Sequence, residues 1–144
     1  MYIGATVLES EDLDLSIRRK SILAALAVTL IGTAPAWSQS ALKMLDPDND
    51  STVDLAEAKS AASKTFDKLD RDHDGTLDRR ELRGRINKKD FVAADPDKDG
   101  TLDKNEFSAV VEKRFTAANP DNDGTIDAKE LKSPAGRSLV RLLK

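Results

Sequence analysis

Four twelve-residue stretches recur in register: DPDNDSTVDLAE at 46–57, DRDHDGTLDRRE at 70–81, DPDKDGTLDKNE at 95–106 and NPDNDGTIDAKE at 119–130. Their starts lie 24, 25 and 24 residues apart. Each stretch carries acidic or amide side chains at its first, third and fifth positions, then carboxylates at its ninth and twelfth. Carboxylates crowded into so short a loop repel one another unless a cation lies among them. A period of this length carries one supersecondary unit per repeat. Oxygen-ligand metal binding therefore constrains the fold before anything else is read.

The stretches follow D-x-[DN]-x-[DN]-G-x5-E, the EF-hand calcium loop, with one departure each in the first and the fourth. A hard cation of calcium size takes roughly six to eight oxygens in flexible geometry. Side chains at positions 1, 3, 5, 9 and 12 and the backbone carbonyl at position 7 are the candidate ligands. In loop 1 these are Asp46, Asp48, Asp50, Thr52, Asp54 and Glu57; in loop 2, Asp70, Asp72, Asp74, Thr76, Asp78 and Glu81. In loop 3 they are Asp95, Asp97, Asp99, Thr101, Asp103 and Glu106; in loop 4, Asn119, Asp121, Asp123, Thr125, Asp127 and Glu130. The Glu at position 12 can bind through both oxygens. Gly75, Gly100 and Gly124 suit the sharp turn at position 6. Val53, Leu77, Leu102 and Ile126 at position 8 are apolar, and can pin the loops together in pairs through a short strand contact.

About twelve residues separate one loop from the next. A usual EF-hand owns two helices, so here adjacent loops must share short ones. Leu55, Ala58, Ala62, Phe66 and Leu69 follow the spacing of one helical face between loops 1 and 2. Phe107, Val110, Val111, Phe115 and Ala118 do the same between loops 3 and 4, and both faces read as core. Gly84 interrupts the segment after loop 2, and Asn87 to Asp90 looks like a fresh helix start. Ser133 and Pro134 read as N-cap and first helical residue, followed by an apolar face of Leu139, Leu142 and Leu143. The expected fold class is all-α: a small helical bundle with metal loops at its ends.

The chain has 144 residues, which suggests one domain. Charged residues at 34% and aromatics at 4% leave a thin core, one that metal helps to fold. The absence of cysteine removes disulfides, thiolate metal sites and cysteine nucleophiles. His73 alone cannot build a zinc or copper site. No nucleophile–base pair is visible, so the chain is not read as an enzyme. The net charge of −3 hides 26 acidic and 23 basic side chains. The bases lie mostly on the helices, among them Lys59, Lys113, Arg85 and Arg114, and read as a solvated face that offsets the loops. Aromatics do not interleave with them, so no nucleic-acid partner is expected.

The first residues read as an address. Arg18, Arg19 and Lys20 precede an apolar run from Ile22 to Ile31, and Ala34 to Ala36 form a small-residue cleavage site. This is the pattern of a secretory signal peptide, and the run is shorter than the ~20 residues needed to span a bilayer. Residues 1–36 are expected to form an N-terminal extension and leader, and 37–144 the metal-binding domain. Ser38 offers a second cut, and the flanks of Arg18-Arg19 match a twin-arginine signal poorly. Glu9, Glu11, Asp12 and Asp14 are foreign to such a leader, and an over-extended start codon best explains them. The expected location is the periplasm, with no membrane association after cleavage.

Five carboxylates in each of loops 1 to 3, against four in loop 4, tilt the preference toward a trivalent ion of calcium-like size, because attraction grows with ion charge. Asp54, Asp78, Asp103 and Asp127 also stand three residues before the loop Glu, the spacing of a capped helix start. Capping and ligation are compatible. Pro47, Pro96 and Pro120 at position 2 restrict the loop entry and remove an N–H that could hydrogen-bond within the loop.

Repeated D-P-D-x-D-G-T-[IL]-D-x-x-E loops at this spacing resemble the lanmodulins, exported lanthanide-binding EF-hand proteins of bacteria that use these metals in alcohol oxidation. The tail AANPDNDGTIDAKELKSPAGRSLVRLLK, 117–144, is especially similar, and the likeness covers residues 41–144. The resemblance implies a three-helix bundle with peripheral loops, metal-driven folding, and tight preference for lanthanide(III) ions with calcium as a weak competitor. It further implies that loops 1 to 3 are the tight sites and loop 4 a weak one. Two residues depart from the pattern: Ser51 replaces glycine at position 6 of loop 1, and Arg71 replaces proline at position 2 of loop 2. The first predicts a weaker loop 1, the second a loop 2 that discriminates less.

The function expected from these readings is capture, buffering or trafficking of lanthanides by a protein that folds on binding them. The alternative is a periplasmic calcium buffer or sensor of the same fold class. A metal-dependent homodimer and lanthanide-uptake partners are left open.

Overall fold

The computed structural model describes residues 36–144. The leader predicted for residues 1–36 lies outside these except for Ala36. Among the described residues, helix α1 spans Ala36–Leu45 and the two-residue strand β1 spans Val53–Asp54. Helix α2 covers Leu55–Leu69, α3 Lys88–Ala94 and α4 Lys104–Ala118. Strand β2 is Thr125–Ile126, and α5 is Pro134–Leu143. The expected all-α class holds.

Each long helix grows out of a metal loop. Asp54 caps α2 and Asp103 caps α4; in both, the carboxylate accepts the N–H of the loop Glu, which reaches back to the cap N–H. This closed capping box settles two of the N–H groups that a helix start leaves unpaired. Loops 2 and 4 have the same Asp-x-x-Glu start but yield only turns. Gly84 takes φ +81° after loop 2, and the chain restarts at α3 with Asn87 as N-cap. After loop 4, Ser133 caps α5 and Pro134 opens it.

Position 8 decides how the loops pair. Val53 is registered with Ile126, joining loops 1 and 4 in an antiparallel ribbon. Leu77 bridges Leu102, joining loops 2 and 3, with N–H···O distances of 2.8 and 2.9 Å. All four side chains are fully buried. Helix α2 runs from loop 1 to loop 2 and α4 from loop 3 to loop 4, so the two helices are antiparallel, with a loop pair at each end. Helix α5 packs on α4 and, less extensively, on α2, completing the three-helix bundle.

The core contains the faces expected from the periodicity, joined by Ala41, Leu45, Leu82, Phe91 and Leu131, which no expected face included. Ala58, Ala62, Phe66 and Leu69 of α2 meet Phe107, Val110, Val111 and Phe115 of α4, with Leu139, Leu142 and Leu143 of α5. Leu55 is only partly buried. Phe66 and Phe107 meet edge to face, 5.9 Å apart.

The cations are less uniform than a solvated face. Lys59 pairs with Glu112 at 2.7 Å and Lys104 with Asp67 at 2.8 Å, both exposed. Arg85 and Arg114 act as ties instead. Arg85 Nη1 donates to the carbonyls of Arg141 and Leu142 at the end of α5. Arg114 Nη1 donates to those of Arg85 and Ser138 at 3.2 and 2.8 Å. The Arg141 and Leu142 carbonyls stand in the last turn of α5, where intrahelical partners are lacking, and only the tertiary fold could bring a guanidinium to them.

Candidate metal centres

The four loops are built alike from their own backbone. Positions 4 and 6 both take positive φ. Asn49, His73, Lys98 and Asn122 lie at 62°, 58°, 60° and 56°, and Ser51, Gly75, Gly100 and Gly124 at 75°, 86°, 90° and 98°. These turns aim N–H groups of positions 5 and 6 at the position 1 carboxylate. Asp46 accepts from Asp50 and Ser51 at 3.2 and 2.9 Å. Asp95 accepts from Asp99 and Gly100 at 3.2 and 3.1 Å, and Asp70 from Gly75 at 3.1 Å. The glycine pattern announced position 6. The left-handed position 4 escaped the sequence reading, although Asn49 and Asn122, residues that tolerate this conformation, were a usable signal.

Positions 1, 3 and 12 converge. Oxygens of Asp46, Asp48 and Glu57 lie within 4.8 Å of one another, as do those of Asp70, Asp72 and Glu81, and of Asp95, Asp97 and Glu106. Asp46, Asp70 and Asp95 are 6%, 8% and 7% exposed, and Asn119, which opens loop 4, is 5% exposed. Burying carboxylates side by side is unfavourable unless charge of the opposite sign arrives. Burial pushes Glu57 and Glu106 above the usual carboxylate range against the pull of a backbone N–H, with the neighbouring Asp charges adding to it. Asp48 is drawn down by the N–H of Asp50, but desolvation and the proximity of Asp46 and Asp50 outweigh this and leave it raised.

Positions 5 and 9 are turned to the backbone. Asp50, Asp74, Asp99 and Asp123 each accept both the hydroxyl and the N–H of the Thr at position 7, at 2.7–3.0 Å. These bonds hold Asp50 and Asp99 below the usual carboxylate range. Asp54, Asp78, Asp103 and Asp127 each accept the N–H of the loop Glu at 2.7–2.9 Å. The capping role foreseen for position 9 thus engages one oxygen of each.

Four buried side-chain oxygens among the described residues have no hydrogen-bond partner: Glu57 Oε1, Asp70 Oδ1, Asn119 Oδ1 and Glu130 Oε1. All four belong to candidate ligands. A buried acceptor left unpaired costs on the order of 1–3 kcal/mol, and folded proteins carry few of them. A cation supplies what each of these oxygens lacks, so the donor set fits a hard metal ion. Loop 4, which lacks the first Asp, has two of the four.

The residues match known proteins in the same places. A family model described as EF hand matches residues 63–87, 89–111 and 121–133. These segments take in loops 2 and 3 and most of loop 4, and leave out loop 1. Lanmodulin of Methylorubrum extorquens is 55% identical over 70 residues, which is 48% of this chain and 53% of that relative. The chain spans about half the length of the curated relative it matches.

Proposed function

We propose that the chain is a lanmodulin-like EF-hand metal-binding protein, exported and selective for lanthanide(III) ions, on the strength of its likeness to lanmodulin and to the EF hand model. In this reading it folds on its cargo and serves to capture, buffer or hand on these ions in the periplasm. The unpaired inward oxygens carry the reading, together with the carboxylate clusters of loops 1 to 3. The proposed ligands are the residues at positions 1, 3, 5, 7, 9 and 12 of each loop. Loop 4 is the weak site, since Asn119 brings no charge.

Charge count favours the trivalent ion. The position 9 carboxylate stands with its neighbours whether or not it also caps a helix, so each of loops 1 to 3 presents five carboxylates to its ion. Without metal, repulsion among them acts against a thin bundle. With metal, the loops close, the helix starts are held, and binding energy becomes folding energy. An ion that cannot satisfy the whole set gains less from closure, and selectivity follows. The leader-like segment before residue 37 supports export. A calcium sensor of the adaptor kind exposes a methionine-rich groove, and Met44 is the sole methionine among the described residues.

Far-ultraviolet circular dichroism of residues 37–144, titrated with buffered lanthanum and separately with calcium, tests this. The lanthanum midpoint is expected at least about a thousandfold below that of calcium, roughly 4 kcal/mol. Similar midpoints would return the protein to the calcium-binding class.

A further inference from the structure

Loop 2 differs from the other loops at the oxygen that matters most. Glu81 Oε2 accepts the N–H of Asp78 at 3.0 Å, as each loop Glu does with its cap. Its other oxygen, Oε1, accepts the backbone N–H of Arg71 at 2.9 Å. In loops 1 and 4 the corresponding Glu57 Oε1 and Glu130 Oε1 are buried and unpaired. The cause is visible in the sequence: position 2 is Pro47 or Pro120 there, and proline has no N–H. Loop 3, with Pro96, lacks that donor too.

We propose that the backbone N–H of Arg71 is an internal competitor for the metal-binding oxygen of Glu81, which weakens loop 2 relative to loop 3, the loop it pairs with. The proposal rests on the reading of these loops as metal sites. Asp70 Oδ1, 92% of its residue buried and unpaired, marks loop 2 as a cation site in its own right. An ion taking both oxygens of Glu81 competes with the Arg71 N–H for Oε1, whereas in a proline loop that oxygen has no such donor. The penalty belongs to the carboxylate and not to the ion, so it acts on lanthanides and calcium alike. Proline at position 2 thereby has a physical role: it keeps the bidentate ligand undonated.

Arg71→Pro tests this. Asp70 has ψ 86°, close to the 82° at Asp95 and 79° at Asn119, which already precede prolines, although its φ of −65° differs from −109° and −110° there. The substitution also removes a cation near the loop, so Arg71→Ala, which keeps the N–H, is the reference. Labelled protein is titrated with chelator-buffered lanthanum, then with calcium, and the amides of Gly75 and Gly100 report loops 2 and 3 separately. Relative to Arg71→Ala, Arg71→Pro is expected to tighten loop 2 about tenfold for both ions, the size of a displaced charge-assisted bond, with loop 3 unchanged. In the parent protein the Arg71 amide should also lose exchange protection when loop 2 fills.

Equal affinities for the proline and alanine variants would overturn the proposal, as would a changed lanthanum-to-calcium ratio without tighter binding. Failure of both Gly75 and Gly100 to respond to lanthanum would instead sink the metal-site reading itself.

Discussion

At the scale of single residues, each loop trades backbone strain for inward-facing oxygens. Two residues per loop sit in the left-handed region, where a side chain with Cβ costs roughly 1–2 kcal/mol. Loops 2 to 4 place glycine at position 6, whereas loop 1 holds Ser51 at φ 75°. Ser51 still donates its N–H to Asp46, so the bond is kept and only the conformation is costly. If metal orders the loop as proposed, Ser51→Gly should tighten loop 1 by about fivefold, close to 1 kcal/mol. Site-resolved metal titration would show it, and an unchanged loop 1 would mean that the strain is relaxed elsewhere. Asp-x-Asp spacing made these ligands readable in sequence. The bond from Arg71 to Glu81 was not, because it spans the loop and needs its curvature.

At the scale of elements, identical starts have different ends. Each loop finishes in Asp-x-x-Glu, but only loops 1 and 3 launch long helices, because Gly84 and Ser133-Pro134 stop the others. Those breakers were legible in the chain. The role of Gly136 was not. A Cβ there would run into the backbone carbonyl of Glu130 and the backbone of Leu131, so α5 rests directly on the end of loop 4. Glycine within a helix is normally a loss of up to ~1 kcal/mol; here it permits that approach. Gly136→Ala is expected to destabilise the metal-loaded fold by about 1–3 kcal/mol, measured by denaturant unfolding, and to weaken loop 4 more than the other loops. A gain in stability would show that helix propensity outweighs the contact.

At the scale of the whole molecule, the loops are coupled through shared parts. Loops 1 and 4 pair at one end of the bundle and loops 2 and 3 at the other, while α2 and α4 each connect one end to the other. Filling one loop therefore orders the start or end of a helix that another loop also uses. The same coupling sets the pH dependence. Burial raises Glu57 and Glu106, so between the ordinary glutamate range and their raised values the folded metal-free chain holds more protons than the unfolded one. Its stability therefore rises as pH falls through that window. Asp50 and Asp99, held low by their threonines, oppose this only at lower pH, where their stabilising contribution is lost. Metal must displace the protons on Glu57 and Glu106, so metal affinity falls over the same window. The lanthanum midpoint for folding should therefore rise as pH falls through that window, while the helical signal of the metal-free chain grows; an unchanged midpoint would refute the account.

Four loops, their candidate ligands, the helices between them and the faces those helices bury could be read from the chain alone. All of these are short-range: alternation within twelve residues, caps three residues apart, apolar positions at helical spacing. Tertiary structure alone decided that loop 1 pairs with loop 4, that Arg85 and Arg114 bind the carbonyls of other segments, and that Glu81 is already partly satisfied. Position 8 is apolar in every loop, so nothing local tells Val53 to choose Ile126 over Leu77 or Leu102. That choice belongs to the packing of α2, α4 and α5, whose lengths and directions bring particular loop ends within bonding distance.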